Sequence, residues 1–147
     1  MNNQTLPMPA AAFIPHRPPM QLVDTLISFS DAAAVVEATP SADCILISEN
    51  GALDETALVE LLAQGYAVVK GYEDTQAGEE ISEGYLVGVR KLRITGQARA
   101  GERLLINIRT VGRFEGFAVA EGEVVRAEET IASGTIKLWI VGGGGGA

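Results

Sequence analysis

The segment ETALVELLAQGYAVVKGY, residues 55–72, constrains the fold of this chain more than any other feature. It contains no proline and is long enough for about five helical turns. Its apolar residues fall on nearly every side of such a helix, and a helix that is apolar all round is buried. The rest of the chain therefore has to surround it. Asp54 is a good N-cap for this helix, and Gly71 indicates its C-terminal end.

The chain on either side of this helix has the period-two pattern of β-strands. Strands are predicted over residues 21–30, 32–39, 85–94, 103–114, 117–127 and 130–140. The last four lie close together and predict an antiparallel meander. We therefore expect an α+β fold in which an antiparallel sheet of about five to six strands wraps around one long central helix. A single open sheet leaves edges, and such folds commonly pair edge to edge in dimers.

A chain of 147 residues corresponds to one domain, long enough to bury a core without disulfides or metal. Residues 1–12 are predicted to be a loose leader, residues 13–141 the domain and residues 142–147 a flexible glycine tail. No apolar run reaches the roughly 18 residues of a membrane span. No basic residue precedes the apolar part of the N-terminus, which makes it a poor secretory signal. We expect a soluble, cytoplasmic protein.

The net charge of −8 argues against nucleic acid as a partner. The charge is also unevenly distributed, because residues 1–83 carry 2 basic and 13 acidic residues, whereas residues 84–147 carry 9 and 6. Seven of the eleven basic residues fall between Arg90 and Arg113. They are interpreted either as solvated faces of strands or as a docking patch for an acidic partner.

Few side chains of the chain can carry chemistry. A single cysteine, Cys44, excludes a disulfide framework and a multi-cysteine metal site. A single histidine, His16, excludes any mechanism that needs two imidazoles from one chain. No Walker, dinucleotide or zinc spacing is present, so we expect neither a cofactor nor a metal. Cys44 is better explained as buried filler than as a nucleophile.

Glu60 and Gln64 interrupt the apolar helix and, being four residues apart, share one of its faces. Burial would raise the pKa of Glu60 and suit it to proton transfer near neutral pH. Alternatively, this stretch of helix is partly exposed and Glu60 is an ordinary surface residue. Gln64 could orient Glu60 or cap a neighbouring backbone group. Asp54 is better explained as a helix cap than as a catalyst.

His16 lies in IPHRPPM, residues 14–20, where each proline restricts itself and the residue before it. Such a segment would hold the imidazole ring in place, although a solvated or structurally hydrogen-bonded histidine is the favoured explanation of this position. Gly84, Gly88 and Gly96 flank or lie in a predicted strand. A glycine there often permits close approach of the backbone to a ligand.

Five segments, in order along the chain, resemble 3-hydroxyacyl-[acyl carrier protein] dehydratases. IPHRPPMQLVD (14–24) resembles their PHR-x-P-x-x-L-V-D opening, and ALVELLAQ (57–64) resembles their helix motif L-x-x-E-x-x-A-Q. GYLVGVRKLRI (84–94) resembles G-Y-L-x-G-x-x-K-x-x-F. ARAGERL (98–104) is similar to a P-G-D-x-L turn, and RFEGFAVAEGEVVRAEE (113–129) to the strand pair that follows.

The resemblance implies the hotdog fold and the elimination of water from a 3-hydroxyacyl thioester of acyl carrier protein or coenzyme A. In that family a histidine removes the α-proton and a carboxylate helps to protonate the departing hydroxyl, across a dimer interface. Glu60 corresponds to the family carboxylate and Gln64 to the glutamine that follows it. We further expect Asp54, Gln64, Gly84, Tyr85 and Gly88 to contribute to substrate binding.

One family motif is missing. The family histidine lies in a G-H-F-P-G segment just before the helix, where this chain reads ILISENGALDET (45–56). His16 matches the histidine of the opening motif instead. Either His16 or a paired subunit supplies the base, or the reaction has changed or been lost.

The departure resembles that of the dehydratase-like proteins of aryl polyene clusters, which pair with a more conventional dehydratase-like subunit. The resemblance therefore leaves three functions open. These are a dehydratase of fatty or polyene acyl chains, a non-catalytic or half-site subunit of a heterodimer with a dehydratase paralogue, and an acyl thioesterase of the same fold. A homodimer and a heterodimer are both compatible with it.

Overall fold

The computed structural model describes residues 5–142, and its centre is one long helix, α1, Glu55–Gln76. The helix begins where expected, because the Asp54 side chain accepts a hydrogen bond from the Thr56 amide. The predicted end at Gly71 was wrong. A Cβ atom at Gly71 would lie 1.7 Å from the carbonyl oxygen of Phe13, so this glycine permits a backbone crossing and the helix continues past it.

Within residues 5–142, seven antiparallel strands form one sheet around this helix, in the order β1-β2-β3-β5-β6-β7-β4. They are β1 (Met8–Pro9), β2 (Thr25–Ser30), β3 (Ala33–Ala38), β4 (Ser82–Ile94), β5 (Leu104–Phe114), β6 (Phe117–Arg126) and β7 (Glu129–Gly142). The expected α+β hotdog architecture is confirmed, although the strand number is seven rather than five to six. The additional strand is the short β1.

The strand order corrects the expected meander. Strands β5, β6 and β7 are joined by short turns and pair in sequence, but β4 pairs with β7 at the far edge of the sheet. Helix α1 separates β3 from β4, and a helix of this length spans roughly 33 Å. Helix α1 therefore carries the chain across the sheet to its far edge. There β4 pairs with β7, the last strand of the sequence, instead of with β3, the strand that precedes the helix.

The core lies between α1 and the inner face of the sheet. Alternate residues of β5, namely Leu104, Ile106 and Ile108, are buried against the helix, and their neighbours face outward. This alternation is the expected signature of a sheet with one covered face. None of the helices of residues 5–142 is long and apolar enough to cross a membrane.

Part of the segment predicted to be a leader packs with the domain. Met8 and Pro9 pair with β2, a short 3-10 helix follows over Ala10–Ala12, and Ala10 is fully buried. The domain thus includes residues before the predicted boundary at residue 13. The predicted glycine tail lies, apart from Gly142, outside the described residues.

Candidate functional site

Residues 13–22, which we call the strap, cross one face of α1. Phe13 meets the helix at Gly71, and the backbone of Met20 and Leu22 meets it at Gln64. The strap therefore runs antiparallel to the helix, covering about two of its turns. Pro15 disfavours helical conformations for itself and the preceding residue in the first part of the strap. Residues 17–21 instead form a turn, in which the Arg17 carbonyl accepts hydrogen bonds from the Met20 and Gln21 amides. Phe13 is fully buried, and its ring packs edge-on against Tyr72 at a centroid distance of 5.5 Å.

The Gln64 side chain joins the strap to the predicted catalytic carboxylate. It is only 1% exposed, and its Oε1 accepts a hydrogen bond of 2.8 Å from the Leu22 amide. Its Nε2 donates to the Met20 carbonyl and to Oε2 of Glu60, each at 2.8 Å. Both roles considered for Gln64 are therefore present, because it holds Glu60 and caps backbone groups of the strap.

Glu60 is half-buried on α1, which is intermediate between the buried carboxylate and the exposed surface residue that the sequence left open. The helix is thus not enclosed on every side within one chain. One carboxylate oxygen is held by the Gln64 amide, and charged hydrogen-bond acceptors of this kind form comparatively strong bonds. Glu60 is consequently an oriented carboxylate, close to the strap and accessible from one side.

His16 lies on the strap, four residues before Met20, and is partly buried. Its Nδ1 atom is buried and has no hydrogen-bond partner among residues 5–142. Buried polar atoms are nearly always hydrogen-bonded, so an imidazole nitrogen left unsatisfied requires an explanation. The neighbouring Arg17 is anchored differently, since its guanidinium donates to the carbonyl oxygen of Ile14 at 2.8 Å.

Asp54 acts in this structure as the cap of α1. Its Oδ1 accepts hydrogen bonds from Oγ1 of Thr56 at 2.6 Å and from the Thr56 amide at 2.8 Å. These two bonds, the side-chain bond foremost, hold the pKa of Asp54 below its ordinary value. The carboxylate is exposed, so its predicted contact with substrate stays a prediction.

Gly84, Tyr85 and Gly88 all lie on β4 at the edge of the sheet. Tyr85 is 54% exposed, and a Cβ atom at Gly88 would meet only the Lys137 side chain at 3.8 Å. Their contact with substrate stays a prediction. Gly96 has a packing role instead, because a Cβ atom there would lie 2.6 Å from a methyl carbon of Ile131.

A cavity of about 390 Å³ opens beside the strap. Its apolar wall includes Pro18, Pro19, Leu22, Leu53 and Leu61. Leu61 follows Glu60 on the helix, and Leu22 is the residue whose amide binds Gln64. The cavity is within the size range of small-ligand sites and is bounded by the elements that hold Glu60 and Gln64. Cys44 also lines it, and it is half-buried and packed against the hydrophobic core, which agrees with the expected packing role although the burial is incomplete.

A larger depression, of about 630 Å³, lies on the outer face of the sheet. It is shallow, and its polar side chains bind one another: Asn107 donates to Glu123 at 2.9 Å and Arg109 pairs with Glu121. We regard it as a less suitable site than the cavity beside the strap. The described residues contain no group of three or more His, Cys, Asp or Glu side chains that could hold a metal ion.

Sequence reasoning missed a polar cluster at the other end of α1. Tyr66 is almost fully buried, its hydroxyl accepts a hydrogen bond of 3.2 Å from Nε of Arg113, and Arg113 also pairs with Glu73. Burial raises the pKa of Tyr66, against the opposing effect of the Arg113 charge. The only available signal was the tyrosine in an apolar helix, because a buried hydroxyl usually has a partner.

Comparison with known proteins agrees with this architecture. The model of the ApeP-like family, described as ApeP dehydratase, matches residues 8–140. The structure is similar to the dehydratase heterocomplex ApeI:P from Xenorhabdus doucetiae, with a TM-score of 0.84 and 26% sequence identity over 90% of each chain. No curated protein sequence matches the chain.

Two further solved structures share the fold alone. One is a hypothetical thioesterase from Streptococcus pneumoniae TIGR4 with coenzyme A, at 14% identity and a TM-score of 0.61, covering 80% of this chain and 84% of that one. The other is PaaI from the phenylacetic acid degradation operon of E. coli, at 17% identity and a TM-score of 0.60, covering 78% and 80%.

Proposed function

The chain belongs to the ApeP-like family of dehydratases, and from this premise we propose that it is a cytoplasmic dehydratase of 3-hydroxyacyl thioesters, with fatty or polyene chains carried by acyl carrier protein or coenzyme A. The main observation that supports the proposal is the set of hydrogen bonds made by the Gln64 side chain. One amide holds the Glu60 carboxylate and, through Met20 and Leu22, the strap on which His16 lies.

The proposed reaction divides the proton transfers between these two side chains. His16 removes the α-proton of the thioester, and the electron pair left on the α-carbon forms the 2,3-double bond as the 3-hydroxyl leaves. Glu60 in its protonated form gives its proton to that hydroxyl, which departs as water. The product is a 2-enoyl thioester, and the proton gained by His16 returns to Glu60 to complete the cycle. General acid–base groups of this kind typically contribute 10²–10⁴-fold each.

The Nδ1 atom of His16 has no hydrogen-bond partner among the residues described and is therefore free to accept a proton. It is also buried, so this role requires the strap to move and expose the ring to substrate. The chain has no second histidine that could act instead. Gln64 is a positioning residue in this scheme, since it acts through Glu60 and the strap.

The cavity beside the strap offers a place for an acyl group. One part of its wall consists of proline and leucine side chains and is apolar, as a hydrocarbon chain requires, whereas Asp24, Thr39 and Asp43 line another part. Its lining includes Leu22, whose amide binds Gln64, and Leu61, which follows Glu60 on the helix, whereas the side chains of Glu60, Gln64 and His16 do not line it. The proposal therefore requires the thioester end of the substrate to extend beyond the cavity to these side chains.

An assay with purified protein and 3-hydroxyacyl thioesters of both carriers tests the proposal. We expect Glu60→Gln and His16→Ala each to lower kcat by about 10²–10⁴-fold. Glu55→Gln, at an exposed position five residues earlier on the same helix, serves as the matched control with full activity. Loss of the 2-enoyl product and of water elimination is followed by mass spectrometry. Full activity of Glu60→Gln in a folded protein would contradict the assigned role. Release of free acid and thiol would identify a thioesterase instead.

A second candidate function is that of a subunit in a heterodimer with a dehydratase paralogue. It is favoured by the absence of the G-H-F-P-G histidine and by the similarity to a solved dehydratase heterocomplex. In that case this chain would contribute one half of the active site, and the paralogue would supply the histidine that removes the α-proton. Activity that requires both chains and survives His16→Ala would support this function over the first.

A further inference from the structure

Four aromatic side chains form a continuous row across the outer face of the sheet. Tyr85 on β4 lies opposite Trp139 on β7, which in turn lies opposite Phe117 on β6. Phe117 lies opposite Phe114 on β5. Directly paired residues of neighbouring strands point to the same face of a sheet. Leu138, next to Trp139 in the chain, is buried in the core, so the row points away from the core.

The rings of this row are accessible, although aromatic residues are few in this chain. It contains eight of them, and half are in the row. Phe114 is 58% exposed, Tyr85 54% and Trp139 40%, whereas Phe117 is half-buried between its neighbours. Single exposed apolar residues are ordinary, but a contiguous patch marks a surface that another molecule covers.

Two glycines hold the rings of the row in place. A Cβ atom at Gly116 would lie 2.9 Å from the Trp139 ring, so this ring lies against the β5–β6 turn. A Cβ atom at Gly112 would lie 3.1 Å from the Phe114 ring. The ring centroids of Phe117 and Trp139 are 4.7 Å apart. The row is therefore preorganised, and a partner that binds it would lose little side-chain entropy of this chain.

A second row extends the aromatic row into a narrow stripe. One step further along the strands lie Gly88, Lys137, Val119 and Gly112. The lysine side chain lies over Phe117, with its ammonium 4.3 Å from the ring centroid. Four strands about 4.8 Å apart make the stripe roughly 14 Å long, and two rows make it roughly 7 Å wide. This size matches the apolar face of an α-helix of about ten residues.

The two ends of the stripe are acidic. Glu83 lies on the same face as Tyr85, two residues before it, and Glu115 follows Phe114 in the β5–β6 turn. Both carboxylates are exposed, and neither forms an ion pair within residues 5–142. A helix with basic residues at both ends is complementary to this surface. A second copy of the chain is not, because two such faces stacked about a two-fold axis bring carboxylates against carboxylates.

We propose that this stripe docks an amphipathic helix of another protein, with apolar residues over the rings and basic residues at both ends. Binding of an amphipathic helix through its apolar face is a recurrent mode of recognition. A partner that pairs with an edge of the sheet leaves the stripe uncovered, because edge pairing acts in the plane of the sheet. The proposal goes beyond the proposed function, since it holds whether or not the chain is catalytic.

Fluorescence of the full chain tests the proposal, because Trp139 is its only tryptophan and reports on this surface alone. The probe is a synthetic helical peptide of about 14 residues with leucines along one face and arginines at both ends. It should shift the emission of Trp139 to shorter wavelength and protect the ring from acrylamide quenching. A peptide with glutamates in place of the arginines should bind roughly tenfold more weakly at low salt.

Two variants separate the contributions of charge and of the rings. The double variant Glu83→Lys/Glu115→Lys should weaken binding of the arginine peptide roughly tenfold and strengthen binding of the glutamate peptide. Phe114→Ala removes one exposed ring, leaves Trp139 in place and should weaken binding of both peptides several-fold. Circular dichroism shows that each variant is folded, which is expected because the substituted side chains are exposed.

The matched control is Glu49→Lys/Glu128→Lys, which makes the same charge change at exposed positions away from the stripe. It should bind the arginine peptide as the unsubstituted chain does. Failure of the arginine peptide to bind, equal binding of both peptides, or an equal effect of the two double variants overturns the proposal. An emission shift caused by phosphatidylglycerol vesicles and not by the peptide identifies a lipid surface instead, and one that grows with protein concentration alone identifies a second copy.

Discussion

Replacing Gly71 by alanine should destabilise the protein, although alanine is the better helix former. The substitution gains about 1 kcal/mol of helix propensity. Against this, the new Cβ would lie 1.7 Å from the carbonyl oxygen of Phe13, about half of an ordinary contact distance of 3.4 Å, and the obstacle is backbone. The strap must therefore move by about the missing 1.7 Å at its first residue.

The cost of that movement follows from what Phe13 contacts. Its ring is fully buried and packs against Tyr72. Burial of a phenylalanine is worth about 1.5–3 kcal/mol, and an aromatic pair about 0.5–1.5 kcal/mol more. After subtracting the gain in propensity, we expect a loss of about 1–3.5 kcal/mol in the free energy of unfolding.

Urea unfolding followed by circular dichroism measures this loss, and Gly65→Ala is the matched control on the same helix. The propensity gain is the same there, but the Cβ would meet a side-chain methyl carbon of Ile106 at 2.9 Å instead of backbone. Gly65→Ala should thus destabilise the protein less than Gly71→Ala does. If Gly71→Ala is as stable as the unsubstituted protein, the strap does not pack against the helix as described, and the reasoning is refuted.

Two further predictions concern Gln64 and Asp54. Gln64→Leu leaves the Leu22 amide and the Met20 carbonyl without their partner, which should lower the free energy of unfolding by about 2–4 kcal/mol, measured in urea. Gln64→Glu keeps the acceptor for the Leu22 amide but places a second carboxylate against Glu60 and the Met20 carbonyl, so it should also be destabilised. Stability equal to that of the unsubstituted protein in both variants would contradict the bonding described. Because the pKa of Asp54 is lowered from 3.8 in the folded state, its cap stabilises the protein fully above about pH 4 and is lost as the pH falls through the folded pKa. Asp54→Ala should therefore lower Tm at neutral pH, and the difference should shrink below pH 4. A difference independent of pH would mean that the carboxylate charge plays no part in the cap.

The features that sequence reasoning predicted are local ones. The start of α1 at Asp54 depends on residues within one turn, and the contact between Glu60 and Gln64 follows from a spacing of four residues in any helix. The strand positions follow from alternation within each segment. Such patterns can be interpreted before any tertiary contact is known.

The features that it missed depend on residues far apart in the chain. Gly71 looked like a helix end, because glycine often ends helices, but its role is set by Phe13, 58 positions earlier. Arg113 reaches Tyr66 across 47 positions, and no spacing rule connects them. Likewise, the position of β4 beyond β7 depends on how α1 crosses the sheet, which the strand patterns do not specify.

The sequence by itself determined the apolar helix, the alternating strands around it and the carboxylate–amide pair on one helix face, because burial and short-range geometry act within single segments. Only the tertiary structure decided that the strap carrying His16 is bound to that pair through Gln64, and that β4 becomes a free edge. Both depend on the close approach of distant backbone segments. A pairing of this kind is selected by the packing of the whole domain, and no single segment contains the information for it.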